Sequence, residues 1–380
     1  MSDNKKINLL HILNDFSILA GGVPQVVRQL TARNRFNAIA SSIFATKGKS
    51  ESAWITICPE SKFMKAWGWS WRQKKELDNL ISENNILHLH GIWSSVHYYA
   101  SSIAKKKRIP FVLSSHGMLE PWLWRDQGLI TYYKKFFYWN LFIKYKLSSA
   151  AVVHAITPLE RENLKKLLPE NDIVLIPNAV DIAPLSNTSL FKNKERVILF
   201  LGRIEPKKGL HLLLESFLMA NLSEKWKIKI VGPVWDKSYM KKLSIFIKKN
   251  KLNKKVTFLG PVFGKEKERL LTTSWIMVTP SFSEVVGLVN LEAGAKGLPT
   301  ITTHETGLFN WEKGGGLLVS PNVIALQAAI KKACSWSLED RLNRGLASYN
   351  LIKNYYSWDV VAPQWELLYR KINSNMVNKT

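Results

Sequence analysis

Short apolar runs alternate along the chain with segments that have the length of a helix, and this alternation limits the possible folds most strongly. Residues 25–34 and 210–220 are examples of the helix-length segments, and each follows a run with the length of a buried strand. Alternation of strand and helix is typical of parallel sheets whose two faces are covered by helices. The sequence therefore predicts an α/β fold.

The apolar runs also predict how many domains the chain forms. Twelve buried strands are predicted, at residues 7–13, 38–44, 86–90, 111–115, 151–156, 174–176, 197–201, 227–231, 256–259, 276–279, 299–302 and 317–319. Two sets of about six strands fit two doubly wound sheets better than one sheet, and 380 residues suffice for two domains of about 150 residues each. The polar stretch 182–194 is the predicted linker.

Charge and cysteine content limit the partners and the kind of site. Lys and Arg number 54 against 29 Asp and Glu, and the net charge of +25 predicts a polyanionic partner: nucleic acid, an anionic bilayer or a phosphorylated substrate. Two cysteines exclude a disulfide scaffold and a cysteine-rich zinc module. Neither a signal peptide nor an apolar run long enough to span a membrane is found, so a cytoplasmic location is expected.

A basic loop follows the predicted strand 197–201. Arg203 and Lys208 lie in this loop, between the strand and the helix predicted from residue 210. Open α/β sheets bind ligands at the carboxyl ends of their strands, and an Arg fork with a Lys point charge suits a pyrophosphate. The alternative is a solvated basic loop, which is the interpretation we favour for Lys207.

Two glutamates follow the strand 276–279. Glu284 lies in the next loop and Glu292 in the helix predicted at 289–295. A carboxylate can accept both hydroxyls of a ribose, and the amides of residues 286–288 could meet a phosphate at the helix start. A pair of capping or surface carboxylates is the alternative.

A glycine pair, Gly21 and Gly22, separates the first predicted strand from a helix near Gln25. Such a loop lets a ligand approach backbone amides, although it is not the G-x-G-x-x-G pattern of dinucleotide-binding proteins. A simple tight turn explains the pair equally well.

Together these motifs resemble the retaining family 4 glycosyltransferases of the GT-B type, in particular those of bacterial cell-envelope polysaccharide synthesis. The resemblance rests on Gly202-Arg203, Lys208-Gly209, and Glu284 and Glu292 separated by seven residues. Gly21-Gly22 and His116-Gly117 fall where the family has its glycine and histidine loops. Residues 177–181 look like its Pro-Asn-Gly-Val-Asp turn, with Ala179 in place of Gly.

The resemblance covers nearly the whole chain and implies its organisation. It implies two Rossmann-like doubly wound domains with a cleft between them. Residues 1–182 would bind the acceptor, residues 195–356 would bind the donor, and residues 357–380 would form a helix that crosses back to the first domain.

The resemblance also implies roles for individual residues. Arg203 and Lys208 would stabilise the leaving diphosphate, Glu284 would contact the transferred sugar, and His116 would lie beside that sugar. Glu292 would hold the ribose of the donor. The remaining donor-binding residues would be Gly21, Gly22, Val286, Gly287 and Leu288.

Two residues depart from the family pattern. Val285 stands where the family usually has Gly, and Val286 where it often has Phe or Pro. Because β-branched residues resist a positive φ, we expect a reshaped loop.

The sequence also bears on cofactors and on a catalytic base. The chain has no Asp-x-Asp, so we expect no metal or other cofactor apart from the nucleotide sugar as co-substrate. His88 and His90 are expected to face opposite sides of their strand and to serve packing rather than metal binding. Glu120 and Asp126 are candidate bases, for which a surface or capping role is the alternative.

Residues 129–147 contain eight aromatic residues, four lysines and no acidic residue. Such a segment fits the surface of an anionic bilayer, with aromatics at the headgroup level. It predicts docking on the inner leaflet near the acceptor through Tyr132, Lys134, Lys135, Phe136 and Trp139. A buried helix with snorkelling lysines is the alternative. The lysine-rich segment 237–255 is interpreted as a solvated helix face that could meet the same membrane.

These inferences lead to one predicted function and two alternatives. We expect a retaining glycosyltransferase that moves a sugar from a nucleoside diphosphate sugar to a lipid-linked, lipopolysaccharide, O-antigen or exopolysaccharide glycan at the inner face of the membrane. One alternative is a nucleic-acid-binding protein, although zinc, RNP and basic-heptad motifs are all missing from the sequence. The other is a GT-B relative such as a sugar-nucleotide epimerase.

Overall fold

The computed structural model describes residues 7–17, 20–36, 39–59, 70–81, 85–120, 128–185, 195–308 and 310–377. The chain divides into two compact units. The first comprises Met1–Pro177 and Val361–Thr380, and the second comprises Asn178–Val360.

The first unit contains a seven-stranded sheet in which every strand runs parallel to its neighbours. Its strands are β1 (Ile7–Asp15), β2 (Ile39–Lys47), β3 (Ile55–Ile57), β4 (Asn85–His90), β5 (Phe111–Ser114), β6 (Val152–Ala155) and β7 (Ile173–Leu175). They follow the order β3-β2-β1-β4-β5-β6-β7. In register, Leu13 lies beside His90, and His90 beside Ser114. The carboxyl ends of β1, β4 and β5 therefore meet at one edge.

The second unit contains a six-stranded parallel sheet of the same kind. Its strands are β8 (Glu195–Leu201), β9 (Lys227–Val231), β10 (Val256–Gly260), β11 (Ser274–Thr279), β12 (Thr300–Thr303) and β13 (Leu317–Val319). They follow the order β10-β9-β8-β11-β12-β13. Because β8 and β11 are neighbours, the loops that follow them leave the sheet side by side.

Helices connect the strands of each sheet. Those of the first unit are α1 (Gly22–Phe36), α2 (Trp71–Leu80), α3 (Ser95–Lys107), α4 (Leu129–Tyr138), a π-helical segment (Trp139–Ile143), α5 (Lys144–Leu147) and α6 (Pro158–Leu167). Those of the second unit are α7 (Leu210–Ala220), α8 (Lys237–Lys249), α9 (Gly264–Thr273), α10 (Leu288–Gly294), α11 (Val323–Cys334) and α12 (Leu338–Tyr355). The last helix, α13 (Trp358–Val377), begins in the second unit and has most of its length in the first.

The central strands are buried on both faces, which explains their uninterrupted apolar sequence. Every residue of β5 and β11 is buried, and so are residues 197–201 of β8. Such burial requires helices on both sides of the sheet. The predicted α/β fold with two doubly wound parallel sheets is thus confirmed.

The boundaries differ in detail from the predicted ones. β3 was not predicted, because three residues, Ile55 to Ile57, are too few for a clear pattern. The division between the units falls after Pro177, whereas the first domain was predicted to extend to residue 182. Within the described residues, no helix has both the length and the hydropathy needed to cross a bilayer.

Candidate active site

In the second unit, the basic loop leaves β8 and turns at once into α7. Pro206–Lys208 form a single 3-10 turn, and Gly209 follows with a φ of 67°. A Cβ built on Gly209 would lie 2.0 Å from the carbonyl oxygen of Pro280. Glycine is therefore required here twice over, by its backbone conformation and by the close approach of the loop after β11.

This close approach brings Lys208 and Glu284 together. The Lys208 ammonium donates to Oε1 of Glu284, and the Ser281 hydroxyl lies 3.4 Å from the same oxygen. The amide of Glu284 donates to the Glu305 carbonyl at 2.9 Å, which fixes the backbone of the loop. Both side chains are mostly buried, so the ion pair is preorganised at the carboxyl edge of the sheet.

Arg203 lies in the same loop but has different partners. Its guanidinium is 3.0 Å from the Glu205 carboxylate and stacks over the ring of Trp235, 4.9 Å from the ring centre. About a third of the Arg203 side chain is exposed to solvent. The guanidinium is thus held at the surface, where it can meet an anion.

Glu292 faces a different lysine. It lies on α10, and its carboxylate is 2.7 Å from the ammonium of Lys267 on α9. Val286 and Gly287 are buried just before this helix, and Leu288 is its first residue. The structure therefore places the predicted donor-binding residues of this unit on one loop and one short helix.

The reshaping expected from Val285 and Val286 does not involve a strained backbone. Among the described residues, the non-glycine positions with positive φ are Arg108, His116, Asn221, Lys251 and Asn310. Because neither valine is among them, the loop accommodates both without the conformation that β-branched residues resist.

In the first unit, the glycine pair lies between β1 and α1. Gly21 has a φ of 102°, and a Cβ built on it would meet no atom within 4 Å. Gly22 is the first residue of α1, so the helix begins three residues earlier than predicted. The open space beside Gly21 is compatible with a ligand that approaches the backbone.

His116 lies in the loop after β5, at the same edge of the sheet. Its backbone is left-handed, with a φ of 49°. Its Nε2 is 3.0 Å from Nδ1 of His90, and burial beside the other histidines lowers the pKa of His116. The carboxylate of Glu160 accepts from the hydroxyl of Ser115 and the amide of Gly117, on either side of His116.

Behind His116 lies a cluster of buried histidines, and it corrects one expectation. His88 and His90 share one face of β4, with ring centres 3.9 Å apart, so placing them on opposite faces was wrong. Residues two apart on a strand point the same way, because side chains alternate with a period of two. The structure adds His11 on β1, whose Nδ1 is 2.9 Å from Nε2 of His90.

The hydrogen bonds of this cluster fix the tautomers of two histidines. His154 donates from Nε2 to the carbonyl of Ile176, which can only accept, and its Nδ1 accepts from the Ser114 hydroxyl. Ser114 accepts in turn from Nε2 of His88, whose Nδ1 accepts from Tyr369. Burial lowers the pKa of His154 to about 4 and that of His11 to about 3, so these imidazoles are neutral at pH 7.

Three members of the cluster have the arrangement of potential metal ligands. One nitrogen from each of His11, His88 and His90 lies within 4.8 Å of the others. In the structure, however, the nitrogens of His88 and His90 hydrogen-bond to protein groups, and this supports packing rather than ligation.

Residues 129–147 form α4, the π-helical segment and α5. Their outer side exposes seven large apolar residues: Ile130, Tyr133, Phe136, Phe137, Leu141, Phe142 and Tyr145. Lys134 is exposed, whereas Tyr132 and Lys135 are half-buried, and burial lowers the pKa of Lys135.

Trp139 is not on that outer side, so assigning it to a membrane or acceptor surface was wrong. Only 3% of it is exposed, and it packs in the core of the unit. Trp139, Ile143 and Leu147 recur every four residues, which puts them on one inward stripe of the helix.

Several site residues were not predicted from the sequence. Glu160, Glu205 and Lys267 each contact a predicted site residue or its loop. Thr157 and Glu160 do form the Thr-x-x-Glu pattern of a helix start, so this helix could have been located. The sequence contained no comparable signal for Glu205 or Lys267. Of the candidate bases, Glu120 accepts from Asn163 at 2.8 Å, and Asp126 lies outside the described residues.

Two family models match consecutive parts of the chain. Residues 20–184 match the model described as Glycosyltransferase Family 4, and residues 181–349 match Glycosyl transferases group 1. Together the two matches cover both sheets and their connecting loops.

Comparison with known proteins gives the same result. One chain of the human phosphatidylinositol N-acetylglucosaminyltransferase is 22% identical over 297 residues, which are 77% of this chain but only 58% of the relative. An uncharacterized glycosyltransferase of Methanocaldococcus jannaschii is 23% identical over 76% of both chains. Among solved structures, Anabaena HepE in complex with UDP and glucose superposes with a TM-score of 0.74 at 16% identity, covering 96% of this chain and 100% of HepE. The chain is therefore a glycosyltransferase of the GT-B type, in which a family 4 domain precedes a group 1 domain.

Proposed function

We propose that the chain transfers a sugar from a nucleoside diphosphate sugar to a lipid-linked or polysaccharide acceptor, with retention of the anomeric configuration. The observation that carries the proposal is the pairing of Lys208 with Glu284 at the carboxyl edge of the second sheet. An ammonium and a carboxylate held there can serve the two halves of such a donor, its diphosphate and its sugar. The UDP and glucose in the HepE structure support this class of donor.

The chemistry of the proposed step requires cations more than a base. As the sugar leaves, negative charge develops on the diphosphate, and fixed cations that meet this charge lower the barrier. Lys208 and Arg203 supply them. Once the diphosphate occupies Lys208, the Glu284 carboxylate becomes available to accept from sugar hydroxyls, and Glu292 holds the ribose. For the first unit, we propose that His116 contacts the transferred sugar and that the loop of Gly21 and Gly22 admits a phosphate to its amides.

We propose that the reaction needs no divalent metal. Two side-chain cations already face the diphosphate position, and the chain has no Asp-x-Asp motif to hold an ion there. Turnover is therefore expected to be the same with excess EDTA as with added Mg²⁺. A tenfold or larger loss in EDTA, restored by Mg²⁺, would refute this part of the proposal.

The function is tested with a panel of UDP-, GDP-, ADP- and TDP-sugars. Release of the nucleoside diphosphate from at least one donor is expected, and the Lys208→Ala variant should lose it. Lys331→Ala, which removes an exposed lysine of α11 far along the chain, is the matched control and should keep the wild-type rate. Release from no donor, or an epimerised nucleotide sugar as the product, would reject transfer.

We propose further that the acceptor lies at an anionic membrane surface, at the inner face of the membrane, and that α4 to α5 dock the chain there. Exposed apolar residues recur along this segment at positions 133, 137, 141 and 145, with Lys134 and Lys144 exposed among them. Apolar side chains that enter the headgroup region and lysines that pair with anionic lipids are the two contributions that hold interfacial helices. The phosphatidylinositol in the name of the human relative supports a lipid acceptor.

Vesicle sedimentation tests the membrane part of the proposal. Binding to vesicles that contain anionic phospholipid should exceed binding to neutral phosphatidylcholine vesicles and should weaken with salt. A Phe137→Ser and Leu141→Ser double variant should lose binding. Equal binding to both kinds of vesicle, or no binding at all, would remove the idea.

A further inference from the structure

We infer that Glu160 is a positioning residue for His116, since it fixes the loop of residues 115–118 on which His116 lies. The inference rests on the role proposed above for His116 at the transferred sugar. It concerns a residue 44 positions away in sequence, on a helix that carries none of the predicted site residues.

Glu160 is a buried carboxylate that accepts hydrogen bonds from three separate places. Only 1% of the residue is exposed. Its Oε1 accepts from the Ser115 hydroxyl at 2.7 Å and from the Gly117 amide at 2.8 Å, while its Oε2 accepts from the Ile156 amide at 2.8 Å. Burial raises the pKa of this carboxyl, and the donors oppose that shift. A carboxylate is costly to bury, so its presence here calls for a purpose beyond packing.

Capping of α6 does not explain the position of this carboxylate. The helix start is already capped by Thr157, whose hydroxyl accepts from the amide of Glu160 at 3.1 Å. In an ordinary capping box, the glutamate would return to the amide of the capping residue. Here both bonds of Oε1 go instead to the loop after β5, across to a different strand.

The loop needs such support because its backbone is unfavourable. His116 and Gly117 have φ values of 49° and 74°, two consecutive left-handed residues. A left-handed conformation costs a non-glycine residue about 1 kcal/mol or more. Glu160 holds the residues on both sides of His116, so the imidazole stays where its Nε2 meets His90 at 3.0 Å.

The first test observes His116 directly, without substrate. In the full chain labelled with ¹⁵N-histidine, the ring-nitrogen signals of His116 are assigned by comparison with His116→Gln. Glu160→Ala should move them toward the averaged shifts of freely exchanging tautomers, and Glu160→Gln, which keeps one acceptor oxygen, should move them less. Thr157→Ala is the matched control: it weakens the start of the same helix, lowers Tm, and should leave the signals in place.

The second test measures turnover with whichever donor of the UDP-, GDP-, ADP- and TDP-sugar panel gives the highest wild-type rate. Misplacing a reacting group by about 1 Å costs about a hundredfold, so Glu160→Ala should lower kcat by about that factor while KM changes less than about threefold. Glu160→Gln should recover most of kcat, and Thr157→Ala should retain all of it.

The outcomes separate this inference from the proposed function. Unchanged His116 signals in Glu160→Ala, or equal shifts in Thr157→Ala, would overturn the positioning role whatever the activity. If Glu160→Ala does not fold, Glu160→Gln and Ser115→Ala are judged by the same signals. A wild-type chain that turns over no donor would reject the proposed function, while the NMR result would still decide whether Glu160 positions His116.

Discussion

At the scale of single residues, the most informative pair is Lys208 and Glu284, which lie 76 residues apart in sequence and form an ion pair. If Lys208 and Arg203 stabilise a leaving diphosphate, replacing either by alanine should lower kcat by at least about a hundredfold, the loss typical of removing one charge-stabilising donor. Steady-state release of the nucleoside diphosphate measures this loss.

The control for these substitutions is Lys331→Ala, which removes the same charge without touching the site. Near-wild-type turnover in both Arg203→Ala and Lys208→Ala would contradict the assignment.

The sequence predicted these residues but not their partners. Arg203, Lys208, Glu284 and Glu292 could be located because each follows a recognisable strand at a fixed spacing. Glu205 and Lys267 could not, since nothing in their immediate sequence distinguishes them from other surface charges. Their roles depend on which side chains the folded loops bring within 3 Å.

At the scale of single elements, the segment from α4 to α5 has two apolar sides with different roles. Trp139→Ala removes a large core side chain and should lower the free energy of unfolding by about 3–5 kcal/mol. Phe137→Ser, at a residue that is 56% exposed, should change it by less than about 0.5 kcal/mol. Urea unfolding measures both changes, and equal losses would contradict the orientation of the helix.

Helix α12 is fastened to the second sheet by a buried arginine. Arg341 is fully buried and donates to the carbonyls of Ser274, Trp275 and Gly297. Arg341→Leu leaves these acceptors without their donors and should lower the free energy of unfolding by about 3 kcal/mol or more.

Arg344 provides the comparison for this prediction. It lies one turn further along α12, is partly exposed, and makes a single long bond of 3.4 Å to the Gly315 carbonyl. Its replacement by leucine should cost about 1 kcal/mol or less. A loss as large as that of Arg341→Leu in urea unfolding would show that burial of the guanidinium is not what matters.

At the scale of the whole molecule, the buried histidines make stability depend on pH. Burial lowers the pKa of His11 to about 3 and those of His97 and His154 to about 4, whereas an unfolded histidine titrates near 6.5. Below pH 6.5 the unfolded chain takes up protons that the folded chain does not. Their stabilising contribution is therefore complete above pH 6.5 and is lost as the pH falls toward 3–4, by about 1.4 kcal/mol per pH unit for each histidine.

Urea-unfolding midpoints between pH 5.5 and pH 7.5 measure this effect. The midpoint should decrease steadily below pH 6.5, and His97→Gln should reduce the slope by about one proton. Glu160 acts in the opposite direction: its pKa is raised, so its contribution is lost as the pH rises, at more acidic pH than the histidines. A midpoint that is constant from pH 5.5 to pH 7.5 would refute neutral burial of these imidazoles.

The amino-acid sequence by itself determined the alternation of strands and helices, and with it two parallel α/β sheets whose loops carry the basic, acidic and glycine motifs. This was possible because hydrophobic periodicity and loop spacing are local properties of the chain. Only the tertiary structure decided that Lys208 meets Glu284, that Glu160 braces the His116 loop from 45 residues beyond Ser115, and that Trp139 faces inward. These contacts depend on strand order and on the direction in which each helix packs, and both are set by burial of the chain as a whole.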